Sequence, residues 1–340
     1  MDIYSTGALV RVVESLDVPV PFLLDRYFPL RQQSEDDKVY FDVKDDKRRL
    51  APFVSPLKEG KVVESLGYQT RSFSPPYVKP KSVVDPNQQF RRRAGEAIGG
   101  SLTPQQRRDL AIAEALREHQ RMILERENVM AAEVLRTGKL TITGEGYGTV
   151  VLDFGRDPAL TVTLSGSSAW NGGAGDPVSD IETWAALIQE KSGAVVTDVV
   201  LEPTAWRNMR QNEQVQKLLD TRRGSTSTAE TGPLAANKAR FVGTIGEFNL
   251  FVYQDRYVDD DGTEKRVLPV GTVIMAGPEM EGTLAYAAIR DPRAGFAPLP
   301  RFPKNWIEED PPMEYVMTQS APLTVPYRVN ACLAATVLSS

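Results

Sequence analysis

The 340-residue sequence contains a single histidine and a single cysteine, two residue types that carry out nucleophilic, acid–base and metal chemistry in proteins. His119 lies among the apolar positions of a helical pattern, where a lone imidazole is typical of a packed or interfacial residue. Cys332 lies in an apolar predicted strand whose only basic neighbour along the chain is Arg328, so we expect a buried thiol with a raised pKa and little reactivity. A His-dependent triad, an internal disulfide and a zinc site of four Cys and His ligands are excluded.

The segment closest to a phosphate-binding loop is GEGYG at residues 144–148. It lacks the G-x-G-x-x-G spacing, the lysine of a Walker motif and a helix start directly behind it. We therefore interpret these residues as a turn between two strands.

Two acidic clusters could in principle bind a cation or supply an acid and a base. The run DDDG at residues 259–262 lacks the alternating oxygen ligands and terminal glutamate of a calcium loop, so a hairpin tip is predicted. In the run EED at residues 308–310 adjacent side chains point apart and two prolines follow, which indicates an exposed turn.

Arginines cluster at two points in the sequence, and each cluster has two interpretations. Arg91, Arg92 and Arg93 could bind phosphate or an acidic face of a partner, or could form a solvated charged run. Arg222 and Arg223 follow a predicted helix end and precede a polar stretch that contains glycine and serine. Two arginines in that setting suit bidentate pairing with carboxylates of another chain, and an ordinary exposed loop is the alternative.

The strongest element in the sequence is one long helix. Thr103 suits the N-cap, and Gln106, three residues later, can close a capping box. Pro104 suits the first helical position, and the next Gly or Pro is Gly138, which suits the C-terminal cap. The helix therefore spans residues 104–137, about 50 Å at 1.5 Å per residue, and its narrow apolar stripe is typical of a strut across an extended molecule. The stripe comprises Ile112, Leu116, His119, Ile123, Met130 and Val134.

The region before this helix predicts extended structure. Residues 4–21 show no sustained periodicity, which indicates an N-terminal arm without a core element. Residues 39–84 contain short β-prone pieces at 39–43 and 60–63, and prolines keep these pieces out of a central sheet. So few apolar runs cannot supply a separate core, and a long two-stranded excursion is predicted.

The region after the helix alternates short strands and helices. Helices are predicted from Asp176 or Ser179 to Gly193 and over residues 203–220. The predicted strands span residues 140–151, 160–164, 194–201, 241–242, 248–253, 267–268, 273–275 and 327–338, and residues 301–326 are rich in proline and aromatic residues.

Composition narrows the function further. The chain is 41% hydrophobic and 25% charged, which is ordinary for a globular protein of two or three packed units. A formal net charge of -5 disfavours a protein dedicated to nucleic-acid binding. No apolar run is long enough for a membrane span and the first residues lack the features of a signal peptide, so a protein made in a reducing cytoplasm is expected. The sequence has few groups suited to catalysis or metal binding, and it predicts an extended arm, a two-stranded excursion and a long strut-like helix. This combination predicts a protein that functions through contacts with other chains.

Five sequence blocks, in one order along nearly the whole chain, resemble the lambda-type (gene E family) major capsid protein of tailed bacteriophages. The blocks are FVSP at 53–56, FSPPYVKPK at 73–81, LDTRRGS at 219–225, FPKNW at 302–306 and MTQSAPL at 317–323. Five separated blocks are more specific than any one of them. The sequence departs from the family pattern in the arm and near residues 255–265, so contacts made there cannot be transferred.

The resemblance implies an α+β Hong Kong 97-like major capsid fold. The expected parts are an N-terminal arm (1–36), an extended E-loop β-hairpin (37–95), a peripheral domain (96–175) with a spine helix (104–137), an axial α/β domain (176–300) and return strands (301–340).

The resemblance also implies a structural function without catalytic residues, cofactors or metals. Such a protein self-assembles as hexamers and pentamers into the icosahedral shell of the virion, which encloses double-stranded DNA, and is assembled in the host cytoplasm. Scaffold, portal and maturation protease come from other genes, and lambda-type shells often carry a decoration protein. The lysine-to-asparagine cross-link of some relatives is not expected.

The expected contacts between subunits follow from the same resemblance. The E-loop lies across a neighbouring subunit, and the loop with Arg222 and Arg223 lies near the capsomer centre. The candidate contact residues are Arg222, Arg223, Lys58, Lys61, Arg71, Arg91, Arg92 and Arg93.

Two other interpretations stay open at the level of sequence. Residues 176–275 alternate helix and strand and could form a small Rossmann-like transferase or hydrolase domain, although this segment lacks a convincing site. A monomeric head or tail adaptor would use the same arm and loop without a closed lattice.

Overall fold

The computed structural model describes residues 6–16, 18–44, 51, 53, 54, 56, 59, 68–91, 102–144, 146–216, 238–310 and 312–339. The α-helices are α1 (Thr6–Ser15), α2 (Phe22–Tyr27), α3 (Pro86–Gln89), α4 (Pro104–Thr137), α5 (Pro177–Ser192) and α6 (Pro203–Gln211). The β-strands are β1 (Leu30–Gln33), β2 (Val39–Lys44), β3 (Tyr68–Phe73), β4 (Lys81–Val84), β5 (Lys139–Gly144), β6 (Tyr147–Asp153), β7 (Thr161–Thr163), β8 (Asp198–Leu201), β9 (Ala239–Ile245), β10 (Phe248–Tyr253), β11 (Arg256–Val258), β12 (Glu264–Arg266), β13 (Thr272–Ala276), β14 (Gly282–Tyr286), β15 (Phe302–Glu308), β16 (Met313–Gln319), β17 (Pro322–Pro326) and β18 (Leu333–Thr336).

α4 is the long helix that the sequence predicts, with the same first and last residues. The Thr103 side chain accepts a hydrogen bond from the backbone N–H of Gln106, and the Gln106 side chain accepts one from the backbone N–H of Thr103. At the other end Gly138 adopts the left-handed conformation with φ 67° and donates its N–H to the carbonyl of Val134. The predicted stripe is buried throughout.

The largest sheet has the strand order β7-β18-β13-β8-β10-β9 and forms the main core. β8 and β13 are buried along their whole length, which fits their apolar sequences and their central places in the sheet. β8 pairs parallel with β10 and antiparallel with β13, so the sheet is mixed. The parallel doubly wound sheet that the Rossmann-like alternative requires does not occur in the part of the chain that the structure describes.

A three-stranded sheet of order β15-β16-β4 lies against α4. Alternate residues of a strand point to opposite faces, and Val316 on one face of β16 joins Ile112 and Leu116 of α4 in a small apolar cluster. Leu9 and Val13 of α1 and Val84 of β4 complete this cluster. The small cluster is separate from the main core, and α4 contributes residues to both.

The N-terminal segment packs on both cores, where the sequence predicts an arm without a core element. α1 lies in the small cluster, and α2 lies in the main core, where the Phe22 ring contacts the Phe251 ring of β10. Arg26 donates two hydrogen bonds to the buried carboxylate of Asp198 in β8, over 2.5 and 2.8 Å. The prediction of no core element in residues 4–21 is wrong, because a helix of 10 residues is too short for its periodicity to stand out.

Residues 39–84 contain the predicted two-stranded excursion. β2 confirms the strand predicted at 39–43, and its partner is β3, with Lys44 opposite Tyr68 at the far end. The strand predicted at 60–63 lies outside the described residues. The sequence did not indicate β3 or β4, because short strands on sheet edges carry little apolar signal.

Further along the chain most predicted elements occur with shifted ends. β5 and β6 pair as the sequence predicts, and α5 begins after the N-cap Asp176 and ends before Gly193. The single helix predicted over residues 203–220 is wrong, because α6 ends at Gln211. At this point the side-chain oxygen of Asn212 accepts a hydrogen bond from the backbone N–H of Gln214, as the N-cap of a new helical turn does. Residues 267–268 form a bend rather than the predicted strand. None of the described helices is apolar over enough residues to cross a bilayer.

Candidate functional site

His119 is packed, as the sequence predicts. The imidazole is buried between α4, β4 and β16, with Nε2 2.8 Å from the Ser82 hydroxyl and Nδ1 3.3 Å from the Thr318 hydroxyl. Burial lowers the pKa of His119 below its ordinary value, because a charged ring would lose its solvation. The histidine therefore fastens the sheet β15-β16-β4 to α4 as a neutral ring.

Cys332 is also buried, as predicted. Its thiol lies 3.4 Å from the backbone carbonyl of Leu135, to which it donates, and burial raises the pKa of the thiol. The cation whose charge lowers the pKa of the thiol, against the larger effect of burial, is Arg156 and not Arg328, the neighbour in sequence. Arg328 instead donates to the backbone carbonyl of Ser192.

The two acidic clusters are turns. At the tip of the β11–β12 hairpin the N–H of Gly262, which has φ 80°, donates to the carbonyl of Asp259, so the predicted hairpin tip is confirmed. Glu309 and Asp310 form an exposed turn after β15, and Glu308 is the exposed last residue of that strand. Within the described residues, no three His, Cys, Asp or Glu side chains are arranged to hold a metal ion.

Arg71 and Arg91 are the predicted contact residues that the structure describes. Arg71 is exposed on β3 and donates to the backbone carbonyl of Asp153 over 2.7 Å, so it joins the excursion to the end of β6 within the chain. Arg91 is exposed just after α3. The remaining predicted contact residues lie outside the described residues, namely Lys58, Lys61, Arg92, Arg93, Arg222 and Arg223.

Four consecutive polar residues at the centre of α4 bind different parts of the chain. We call Glu125, Arg126, Glu127 and Asn128 the helix-centre hub. Consecutive residues of an α-helix point about 100° apart, so each reaches a different neighbour. Arg126, for example, donates to the carboxylate of Asp260 at the β11–β12 tip over 2.7 Å. The hub thus joins α4 to segments that lie far away in sequence.

Glu127 is the most buried member of the helix-centre hub. Its side chain is 0% exposed, and its two oxygens each lie 2.8 Å from a guanidinium nitrogen of Arg301. The Tyr286 hydroxyl donates to the same carboxylate over 3.2 Å. Burial opposes the charged form of Arg301, but the charge of Glu127 raises the pKa of the guanidinium overall. This ion pair joins α4 to the chain just before β15.

Asn128 and Glu125 bind the end of β10 and the start of β9. The Asn128 amide donates to the Tyr253 hydroxyl over 2.9 Å, and this hydroxyl donates to the Asp255 carboxylate over 3.0 Å. The Lys238 ammonium lies 2.7 Å from Asp255 and 3.3 Å from Glu125. Two carboxylates from different elements therefore share one cation.

The sequence contained one signal for the helix-centre hub that its analysis missed. Glu127 occupies a position on the apolar stripe of α4, four residues after Ile123 and three before Met130. A carboxylate there is buried and must be paired. Its partner could not be named, because the hub contacts span from 113 residues (Lys238) to 174 residues (Arg301) of sequence.

The face of the β15-β16-β4 sheet opposite the small apolar cluster carries aromatic and cationic side chains. Trp306 and Tyr315 stack with ring centroids 5.4 Å apart, and the Lys81 ammonium lies 3.8 Å from the Tyr315 centroid. Val83 on this face is 50% exposed. This face therefore combines partly exposed aromatic and apolar side chains with a cation.

Comparisons with known proteins identify the family of this chain. The sequence profile described as phage major capsid protein E matches residues 5–337. The chain belongs to the phage major capsid protein E family. It is 33% identical to the major capsid protein of Escherichia phage lambda over 331 residues, which cover 95% of this chain and 96% of that protein. It is 31% identical to the major capsid protein of Enterobacteria phage P21 over 333 residues, 96% of each chain.

Solved structures agree with the sequence relatives. A protein described as a prophage capsid protein of E. coli CFT073 has a TM-score of 0.75 and 26% identity, over 98% of this chain and 99% of that one. The capsid of Ralstonia phage GP4 has a TM-score of 0.52 and 12% identity, over 96% and 93%, which indicates a shared fold. The fold is therefore the Hong Kong 97-like fold that the resemblance implied. This capsid protein is a structural part of a phage virion.

Proposed function

We propose that this capsid protein self-assembles as hexamers and pentamers into an icosahedral shell that encloses double-stranded DNA, and that it does so without catalysis. The observation that carries the proposal is the match of residues 5–337 to the capsid family. The net charge of -5 is consistent with it, since a lining that bound DNA through many basic contacts would hinder dense packing of the genome.

Exposed apolar side chains support assembly with other copies. Phe53 is 108% exposed, and Val83 and Ile307 are 50% and 58% exposed. Burying such surface against a neighbour would contribute roughly 25 cal/mol per Å². The subunit therefore exposes apolar side chains at several positions that are distant in sequence.

The parts of the subunit are assigned by the same proposal. Residues 1–36 form the arm, 37–95 the E-loop, 96–175 the peripheral domain, 176–300 the axial domain and 301–340 the return strands. The E-loop lies across a neighbouring subunit and Arg222 and Arg223 lie near the capsomer centre. The other proposed contact residues are Lys58, Lys61, Arg71, Arg91, Arg92 and Arg93.

We further propose the partners of assembly. A scaffold, a portal and a maturation protease are supplied by other genes of the phage, and a decoration protein can bind the finished shell. Assembly takes place in the host cytoplasm.

Electron microscopy of the expressed protein, with and without the scaffold of its phage, tests the proposal. Closed shells of uniform diameter with the scaffold are expected. A protein that remains a monomer or forms one small ring under both conditions would favour a head or tail adaptor and contradict shell formation.

A further inference from the structure

Lys238 has a backbone conformation that its residue type rarely adopts. Its φ is 62°, in the left-handed region, where a side chain at Cβ crowds the following carbonyl and glycine is favoured. Lys238 is the residue directly before β9. A strained residue that persists in a fold is held there by its surroundings and points to a role for its side chain.

The ammonium of Lys238 explains why lysine occupies this place. It bridges Asp255, 2.7 Å away in the link between β10 and β11, and Glu125, 3.3 Å away in the helix-centre hub. The Asp255 side chain is only 3% exposed, and a buried carboxylate needs a compensating charge. Glycine would relieve the backbone but would leave this carboxylate without its cation.

Three elements therefore meet at one side chain. The backbone carbonyl of Lys238 also accepts a hydrogen bond from the N–H of Gln254, 3.4 Å away. This bond joins the residue before β9 to the residue after β10, beside the ion pair. β9 is the edge strand of the six-stranded sheet. Glu125 belongs to α4, which also carries the small apolar cluster and the β15-β16-β4 sheet.

The Glu127–Arg301 pair of the helix-centre hub differs from the Lys238 contacts in burial. Glu127 and Arg301 are almost completely buried, so their loss would disturb the fold itself. The Lys238 side chain is 51% exposed, so water can solvate part of what its removal leaves behind. Lys238 can therefore be changed while the subunit stays folded.

We propose that Lys238 is a positioning residue for shell assembly: it holds the β9–β10 hairpin, at the edge of the six-stranded sheet, against α4, and the position of this hairpin sets the angle at which neighbouring subunits meet. The inference rests on the proposed shell function. In a closed shell every subunit repeats the same angle, so a small error per subunit accumulates around each ring and prevents closure.

The test compares Lys238→Met, Lys238→Gly and Lys238→Arg with the wild type, each as the full chain co-expressed with the remaining head genes of its phage. Lys139→Met is the matched control, because it removes a lysine from an exposed ion pair with Asp153, 2.8 Å long, at 52% and 48% exposure. Shell number and diameter are measured by electron microscopy, and the melting temperature of each purified subunit by circular dichroism. All shells are grown equally far below the respective melting temperature.

We expect Lys238→Met and Lys238→Gly to give at least tenfold fewer closed shells, or a broadened distribution of diameters, with folded subunits. Lys238→Arg should restore both shell number and diameter, and Lys139→Met should match the wild type. Wild-type shells from Lys238→Met or Lys238→Gly would overturn the inference. So would a defect that is seen at one common growth temperature but disappears when each variant is grown equally far below its own melting temperature. If the wild type and Lys139→Met also form no shells, the proposed function fails and the inference falls with it.

Discussion

Three buried carboxylates in this capsid protein take their counter-charges from distant parts of the chain. The pairs are Glu127 with Arg301, Asp198 with Arg26 and Glu314 with Arg108. An ion pair of this kind adds little net stability over a well-packed apolar pair, but leaving one partner alone is costly. These ion pairs therefore determine which segments pack together more than they add to the free energy of unfolding.

The buried pair of the helix-centre hub allows a direct test of that view. We expect Glu127→Gln to lower the free energy of unfolding by about 3 to 5 kcal/mol, because Arg301 would stay buried without a counter-charge. Replacing both residues by methionine should cost less than the single change. Urea unfolding of the purified subunit followed by circular dichroism measures this. Arg121→Ala, which removes an exposed pair with Glu118, is the control and should change stability by less than about 0.5 kcal/mol. A double variant less stable than Glu127→Gln would contradict the argument.

His119 predicts a pH dependence of stability. Its pKa in the folded protein lies below the ordinary value of 6.5, so the unfolded chain binds a proton more readily. The contribution of the neutral ring is fully present above pH 6.5 and is lost as the pH falls from there through the folded-state pKa. We expect His119→Gln to remove this part of the pH dependence, to change stability at pH 7.5 by about 1 to 2 kcal/mol, and to keep shell assembly intact.

Unfolding free energies of the wild type and His119→Gln between pH 4.5 and 7.5 provide the measurement. Parallel curves for the two proteins would show that another group titrates in this range. Lost phage yield in complementation, despite intact shells, would contradict the structural role of the ring.

At the scale of elements, the helix caps were predictable and the docking of the short elements was not. Thr103, Gln106 and Gly138 are local signals, so α4 follows from sequence to the residue. α1 has 10 residues and β4 has 4, and elements that short form only because a larger surface receives them. The helix-centre hub likewise depends on tertiary contacts that no local pattern encodes.

The β2–β3 excursion can be shortened without disturbing its base. Lys44 and Tyr68 lie directly opposite each other, so replacing residues 45–67 by Asn-Gly would join the strands with a two-residue turn. We expect a folded subunit with an unchanged circular dichroism spectrum and a melting temperature within a few degrees, but no stable shells, since the deleted residues belong to the segment proposed to contact a neighbouring chain. Electron microscopy and heating of assembled particles give the measurement. Normal heat-resistant heads would refute the E-loop assignment.

At the scale of the whole molecule, one helix and one N-terminal segment connect two separate cores. α4 contributes Leu116 to the small cluster and Leu135 to the main core, and the N-terminal segment does the same with Leu9 and Phe22. Polar contacts, from His119 to the helix-centre hub, lie between the two clusters along α4. The subunit therefore has a main core and a small second apolar cluster with hydrogen-bonded side chains between them, which suits a protein whose surfaces are completed by its neighbours.

Contacts between whole subunits are tested by charge reversal at the proposed capsomer centre. We expect Arg222→Glu together with Arg223→Glu to block capsomer formation while the circular dichroism of the subunit stays unchanged, because two reversed charges repeat in every subunit of a ring and could cost several kcal/mol per ring. The matched control reverses Arg207 and Arg210, which are exposed on α6, and so changes the net charge equally. Sedimentation and electron microscopy score rings and shells. If the variant at 222 and 223 assembles like the control, these arginines are solvated and the ring contact lies elsewhere; if only that variant fails, net charge is excluded as the cause and the contact is local.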